Sequence, residues 1–255
     1  MITFTEAQLA AWVSPILWPF LRILALFTTA PIFSMRAFPV RARIGLAFLL
    51  ALAVQPGLPD AAIIGLTDDR AMGVLLQQLG VGLAIGFAVR LVFTAVELAG
   101  EVMGFQMGLN FAAFFDPMSN GQTSAIASFY NQMASLLFVV LNGHVMMLMA
   151  VNKSFQAFPI GQDFLQALAH MKIYALGSEL FASAFWIALP VVGLLMFANL
   201  ALGVISRVAP QMNIFAVGFP VTLGVGLIGI AITLPMLDQP FISLMGRIID
   251  IFSGT

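Results

Sequence analysis

The sequence predicts an all-helical fold, all-α and built for an apolar surrounding, on three observations. Hydrophobic residues make up 61% of the 255 and charged residues only 8%, where a soluble domain carries roughly a quarter charged. Apolar stretches near the ~20 residues that a bilayer core demands recur along the chain. No segment competes with them at the two-residue period of a strand. So thin a charged shell cannot cover a water-soluble monomer, and lipid or partner subunits must take its place.

Taken in order, the apolar stretches lie near residues 9–33, 44–58, 71–99, 124–151, 179–206 and 212–236. Pro31 and Pro39 bracket the first turn. The second stretch is short and ends at Pro56-Gly57-Leu58-Pro59, which fits a re-entrant or protein-covered segment as well as a span. Asp68 and Asp69 precede the third helix as N-terminal acids, and Pro235 and Pro240 flank a last polar turn. Arg36, Arg41 and Arg43 crowd the first connection and point it to the cytoplasm. Lys153 and Lys172 then fall on the opposite side if every stretch spans, so the charge rule is nearly tied.

Composition excludes several classes of function. A formal net charge of -1, with Lys153 and Lys172 the only lysines, rules out a basic nucleic-acid binder. The absence of cysteine removes disulfides, thiolate metal sites and cysteine nucleophiles together. His144 and His170 sit in no metal-ligand spacing, no nucleophile elbow or P-loop occurs, and no catalytic site, metal or cofactor is expected. Gly224 to Gly229 spells a dinucleotide fingerprint, but inside a long apolar helix rather than at a strand-to-helix turn. The N-terminus lacks the positive charge of a secretory signal and carries Glu6, so the first apolar segment is expected to be retained.

Two patterns concern packing and charge. Gly100, Gly104 and Gly108 recur every four residues, a column where another backbone can approach closely; simple tolerance of glycine in membrane helices is the alternative. Gly80, Gly82 and Gly86, and Gly224, Gly226 and Gly229, repeat the tendency less strictly. Glu97 and Glu101 are one turn apart, with Arg90 two turns before Glu97 on nearly the same side. Such a column fits a proton relay, or acids paired with Arg90, Arg22 or a partner chain to be satisfied.

The stretch from Gly104 to Gly121 is unlike the rest. Phe105, Phe111, Phe114 and Phe115 alternate with Asn110, Asp116, Asn120 and glycines, and Asp116-Pro117 should stop a helix. It reads as an irregular apolar loop between long helices, which must be packed in protein or line a water-filled path. A bulky, bendable loop there is a candidate pore constriction.

Downstream runs Arg207-Val208-Ala209-Pro210-Gln211-Met212-Asn213-Ile214-Phe215, followed by Ala216 to Pro220. With Ala30-Pro31-Ile32-Phe33 leading to Val40-Arg41-Ala42-Arg43, the run Glu97 to Gly108, and Asp116-Pro117, this sequence resembles the FliR family of flagellar biosynthesis proteins over essentially its full length. That family belongs to the export gate of the bacterial type III secretion apparatus.

The resemblance implies a single export-gate subunit over residues 1–255 in a helical multi-subunit assembly. Residues to about 180 would be a FliP-like part and about 181–255 a FliQ-like helical hairpin. It implies FliP and FliQ homologues as gate partners, FlhA and FlhB homologues as neighbours, unfolded flagellar subunits as cargo, and a place in the inner membrane at the flagellar basal body. The loop near residues 106–117, with Gln106, Met107, Leu109, Asn110, Phe111, Phe114, Phe115, Asp116 and Pro117, would be the plug of a noncatalytic channel. Within Arg207, Pro210, Gln211, Met212 and Asn213, the proline would interrupt the helices and the polar residues serve turn geometry or subunit docking. An injectisome homologue would share the architecture. From another class, a proton-coupled secondary transporter using Glu97, Glu101 and Arg90 is the alternative.

Overall fold

A computed structural model describes residues 5–58, 64–65, 67–109, 124–162, 173–211 and 213–253, and every regular element among them is helical. Helix α1 spans Glu6–Thr29, begun by Thr5, whose amide donates to Gln8 Oε1 at 3.1 Å. Pro31 opens the short α2, Pro31–Ser34, at a position where a missing N–H costs nothing. Helix α3, Val40–Val54, follows Pro39 directly and runs into a 3-10 turn at Gln55–Gly57. Then come α4, Ala71–Gln106, α5, Ala125–Val140, α6, Gly143–Ala157, and α7, Ile173–Val208. Helix α8, Ile214–Thr233, a 3-10 turn Leu234–Met236 and α9, Asp238–Ser253, complete the order.

Among the described residues, five helices are long and apolar enough to cross a membrane, or six if the bent pair α5 and α6 is one span. The short second stretch is one of the five, as Val40–Gly57. Two features depart from the sequence reading. The stretch 124–151 is broken where Asn142 adopts a left-handed conformation, φ 55 and ψ 36, which asparagine tolerates better than most residues. The supposed polar turn at Pro235–Pro240 leads into α9, whose first turn accepts Pro240 because the amides there lack intrahelical acceptors anyway. Phe241, Leu244, Met245, Ile248 and Phe252 form its buried stripe.

The chain divides into two compact units. The first takes Met1–Leu91, Asn142–Leu176 and Met245–Thr255; the second takes Val92–Leu141 and Gly177–Leu244. In the first, α1 packs against α3, with Phe20 edge-on to Phe48 at 6.4 Å. Trp18 closes a cluster with Ile64 and Val74, its indole N–H donating to Ser14 Oγ at 3.1 Å and to the Ile64 carbonyl at 3.3 Å. Gly82 and Gly86 let α4 meet α1 backbone to backbone: a Cβ on Gly82 would strike the Arg22 carbonyl, and one on Gly86 the Thr29 hydroxyl.

In the second unit, Phe93 contacts Phe138 at 5.6 Å and Phe241 at 6.0 Å. Gly229 of α8 faces Leu194 and Val191 of α7. Burial is uneven among the apolar helices: 61% of the α4 window is buried but only 17% of the α7 window. Phe181, Phe185, Trp186, Leu189, Phe197 and Leu200 on α7 are all exposed. Bare apolar surface on that scale has to meet lipid or protein.

Candidate functional site

The Phe-rich stretch lies between the end of α4 and the start of α5. Helix α4 stops well before Asp116-Pro117, because Gly108 adopts φ 81 and its amide bonds back to the Phe105 carbonyl at 3.0 Å. This is a glycine C-cap, which any side chain would strain. Asn110, Phe111, Phe114, Phe115, Asp116 and Pro117 lie outside the described residues. The described residues on either side show how the segment is held.

The leading end is fastened to α8. Met107 is fully buried, and a Cβ on Gly226 would lie 2.5 Å from its Cγ and 2.7 Å from its Sδ. The Thr222 hydroxyl donates to the Met107 carbonyl at 3.3 Å. Gly108 stands against the Phe219 ring, while Gln106 is exposed and Leu109 half-buried. Thr222 sits one turn before Gly226 on α8. Its hydroxyl in an apolar run, beside the Gly224, Gly226 and Gly229 spacing, is the sequence signal for this contact.

The trailing end is stitched to α4. Ser124 caps α5 by accepting from the Ala127 amide at 3.1 Å, and its own amide donates to Glu101 Oε2 at 3.4 Å. Gly100 faces the Ala127 backbone and Gly104 faces Ser124. So Gly100 and Gly104 admit α5 of the same chain, whereas Gly108 lies beyond the helix and serves its turn. Met107 and Ser124, which flank the segment, are thus both held on helices of the second unit.

Glu97 and Glu101 are half-buried on α4 and Arg90 is exposed. Glu101 puts a carboxylate at the N-terminus of α5, where the helix dipole favours negative charge.

Among the described residues the fully buried charge is Arg22, in the first unit. Its Nε–H donates to Gln78 Oε1 at 2.8 Å, one terminal nitrogen to Ser154 Oγ at 3.0 Å and the other to the Phe158 carbonyl at 2.8 Å. The guanidinium carbon lies 4.0 Å from the Phe155 ring centre. Gln77, also buried, accepts from Gln78 at 3.0 Å and from the Gly161 amide at 3.2 Å, and donates to the Pro159 carbonyl at 2.8 Å. Among the described residues Arg22 is held by neutral acceptors, not by an acid. The pair Gln77-Gln78, in the apolar first half of α4, is the signal that sequence reasoning left unused.

Of the motif after α7, Arg207 is in the last turn, where a cation meets the negative end of the helix dipole. Pro210 and Gln211 form an exposed turn, and Asn213 caps α8, its Oδ1 accepting from the Ala216 amide at 3.3 Å. Met212 lies outside the described residues. No cluster of His, Cys, Asp and Glu suited to a metal ion occurs among the described residues.

Residues 13–248 match the bacterial export proteins, family 1. The flagellar biosynthetic protein FliR of Pectobacterium carotovorum subsp. carotovorum is 39% identical over 253 residues, covering 99% of this chain and 97% of that protein. FliR of Escherichia coli (strain K12) is 38% identical over 257 residues, covering 99% and 98%. FliR of Bacillus subtilis (strain 168) is 33% identical over 212 residues, 82% of each. A helical chain with several membrane-capable segments, matched end to end by such relatives, belongs to the FliR family within family 1 of the bacterial export proteins.

Proposed function

We propose that the chain is a noncatalytic channel subunit of the flagellar type III export gate. With FliP and FliQ homologues it forms, and closes, the conduit for unfolded flagellar subunits in the bacterial inner membrane at the basal body. FlhA and FlhB homologues are its neighbours in the apparatus. The named relatives are flagellar, which favours this system over an injectisome.

The observation that carries the reading is the hold on both flanks of the segment 107–123, by Met107 on Gly226 and by Glu101 on Ser124. A Phe-rich loop so held is a deformable seal: aromatic side chains dewet a constriction, and the loop swings without breaking a helix. The exposed apolar faces of α3, α7 and α8 are the surfaces that neighbouring subunits or lipid would cover. Helices α4 and α7, each 36 residues, are about 54 Å long at the usual rise. That exceeds a hydrocarbon core of about 30 Å, which suits an assembly raised partly above the bilayer. The part to about residue 180 takes the FliP-like role and the remainder the FliQ-like one.

The test is co-expression of the tagged chain with FliP and FliQ homologues. A stable three-component complex is expected on purification. Isolation as a stable, functional monomer would contradict the reading.

A further inference from the structure

The first connection carries a charge arrangement that the gate reading does not use. Arg36, Arg41 and Arg43 stand within eight positions, and Arg41 and Arg43 lie in the opening turn of α3. That is the wrong end of a helix for cations, because the unpaired amides there are already positive. Pro39 supplies no capping side chain, and no acid occupies the first turn. The amides of Val40, Arg41 and Ala42 have no acceptor within the helix. Arg36 and Arg41 are exposed, and among the described residues none of the three arginines is paired. The Nε of Arg43 is buried and has no hydrogen-bond partner, a condition that asks for an explanation.

An anion of compact tetrahedral shape answers the exposed arginines and the unpaired first-turn amides. Guanidinium groups grip phosphate through paired N–H donors, and a helix N-terminus adds backbone donors of the same sign. The turn that presents them is held by an aromatic ladder, with Phe33 stacked on Phe27 at 4.5 Å and edge-on to Phe38 at 5.5 Å. Directly along α3 from the arginines, Val40, Ile44 and Phe48 are exposed at four-residue spacing. These residues make one apolar stripe on a helix of membrane-crossing length.

We infer that this end of α3 is a binding site for an anionic phospholipid, with the phosphate on Arg41, Arg43 and the α3 amides, Arg36 at the rim, and one acyl chain along Val40, Ile44 and Phe48. The juxtaposition of a cation cluster and a bare apolar stripe selects lipid over free phosphate. A phosphate ion would use the first half of the site and leave the second unfilled. The inference depends on α3 meeting the bilayer and stands apart from the gate assignment.

The experiment is native mass spectrometry of the full chain, purified in detergent with the partners that accompany it, titrated with dioleoyl phosphatidylglycerol, dioleoyl phosphatidylcholine or inorganic phosphate. Phosphatidylglycerol should bind at least about 30-fold more tightly than phosphatidylcholine, as expected when two or more arginines contribute. Each basic residue near an anionic headgroup is worth about fivefold, so the R41Q/R43Q chain should lose about 30-fold in phosphatidylglycerol affinity. Its phosphatidylcholine affinity should be unchanged, and R70Q, at an arginine that pairs with Asp68, should bind both lipids as the parent does. If the double variant does not fold, R41Q and R43Q singly should each lose about fivefold, and R41K/R43K should recover most of the charge preference. Equal binding of the two lipids, or arginine variants that bind as the parent does, would overturn the site. Displacement of phosphatidylglycerol by millimolar phosphate would overturn the lipid assignment in favour of a free-anion site.

Discussion

Met107 lies directly over Gly226 of α8, its thioether in the space that a Cβ at that position would claim. Gly82 meets α1 in a similar way, yet what a Cβ would strike there is the backbone carbonyl of Arg22, with Ala25 Cβ at 2.9 Å. A methionine tail swings aside, but a helical carbonyl does not. Gly226→Ala should therefore cost less than Gly82→Ala, the displacement of Met107 being partly offset by the gain of about 1 kcal/mol from replacing glycine in a helix. Gly82→Ala should cost about 1–3 kcal/mol through forced separation of α1 and α4. Thermal unfolding in detergent checks the contrast, with Gly82→Ala lowering Tm by about 5 °C and Gly226→Ala by much less.

Glu101 separates the conduit reading from a proton-coupled carrier. It accepts from the Ser124 amide at the base of the loop, a structural contact that an amide oxygen also makes. Glu101→Gln should leave flagellar export close to the parent, and Glu101→Ala should lose about 1 kcal/mol of stability as the charge at the α5 N-terminus disappears. A motility assay together with melting of the purified protein reads both. Abolished export by a stably assembled Glu101→Gln chain would instead support a proton-carrying role.

Arg22 is expected to be the most sensitive position of the first unit. Removing it strands the Gln78 oxygen and the Phe158 carbonyl in a region without water, each at about 1–3 kcal/mol. The relief of a buried charge offsets part of this, so Arg22→Met should lose about 3 kcal/mol net. Arg22→Lys should also fall short, since a compact ammonium cannot span the three acceptors that the guanidinium fork reaches. Limited proteolysis and thermal unfolding measure the effect. A Lys variant as stable as the parent would mean that charge alone, not the fork, holds α1, α4 and α6.

Hydropathy made the helical class and most of the apolar segments legible, because a membrane-length run has few other solutions. It did not reveal the break at Asn142, although Asn-Gly is a turn signal, since the flanking residues are apolar on both sides. Nor did it reveal α9, whose half-polar stripe looks weak beside fully apolar helices and whose Pro240 reads as a breaker unless placed in a first turn. At the candidate site, the glycine spacing pointed to close approach but not to which helix would approach. Arg22 was visible only as a cation in an apolar run. Its partners come from residues 78, 154 and 158, separations that no local pattern encodes.

The central claim is that the segment between Met107 and Ser124 closes a conduit. Its most direct test is ion and small-solute permeability of cells or proteoliposomes carrying the assembled gate with Phe111, Phe114 and Phe115 replaced by serine. The account predicts a gate that assembles with its partners and leaks where the parent is tight. Permeability equal to the parent, with assembly intact, would contradict it.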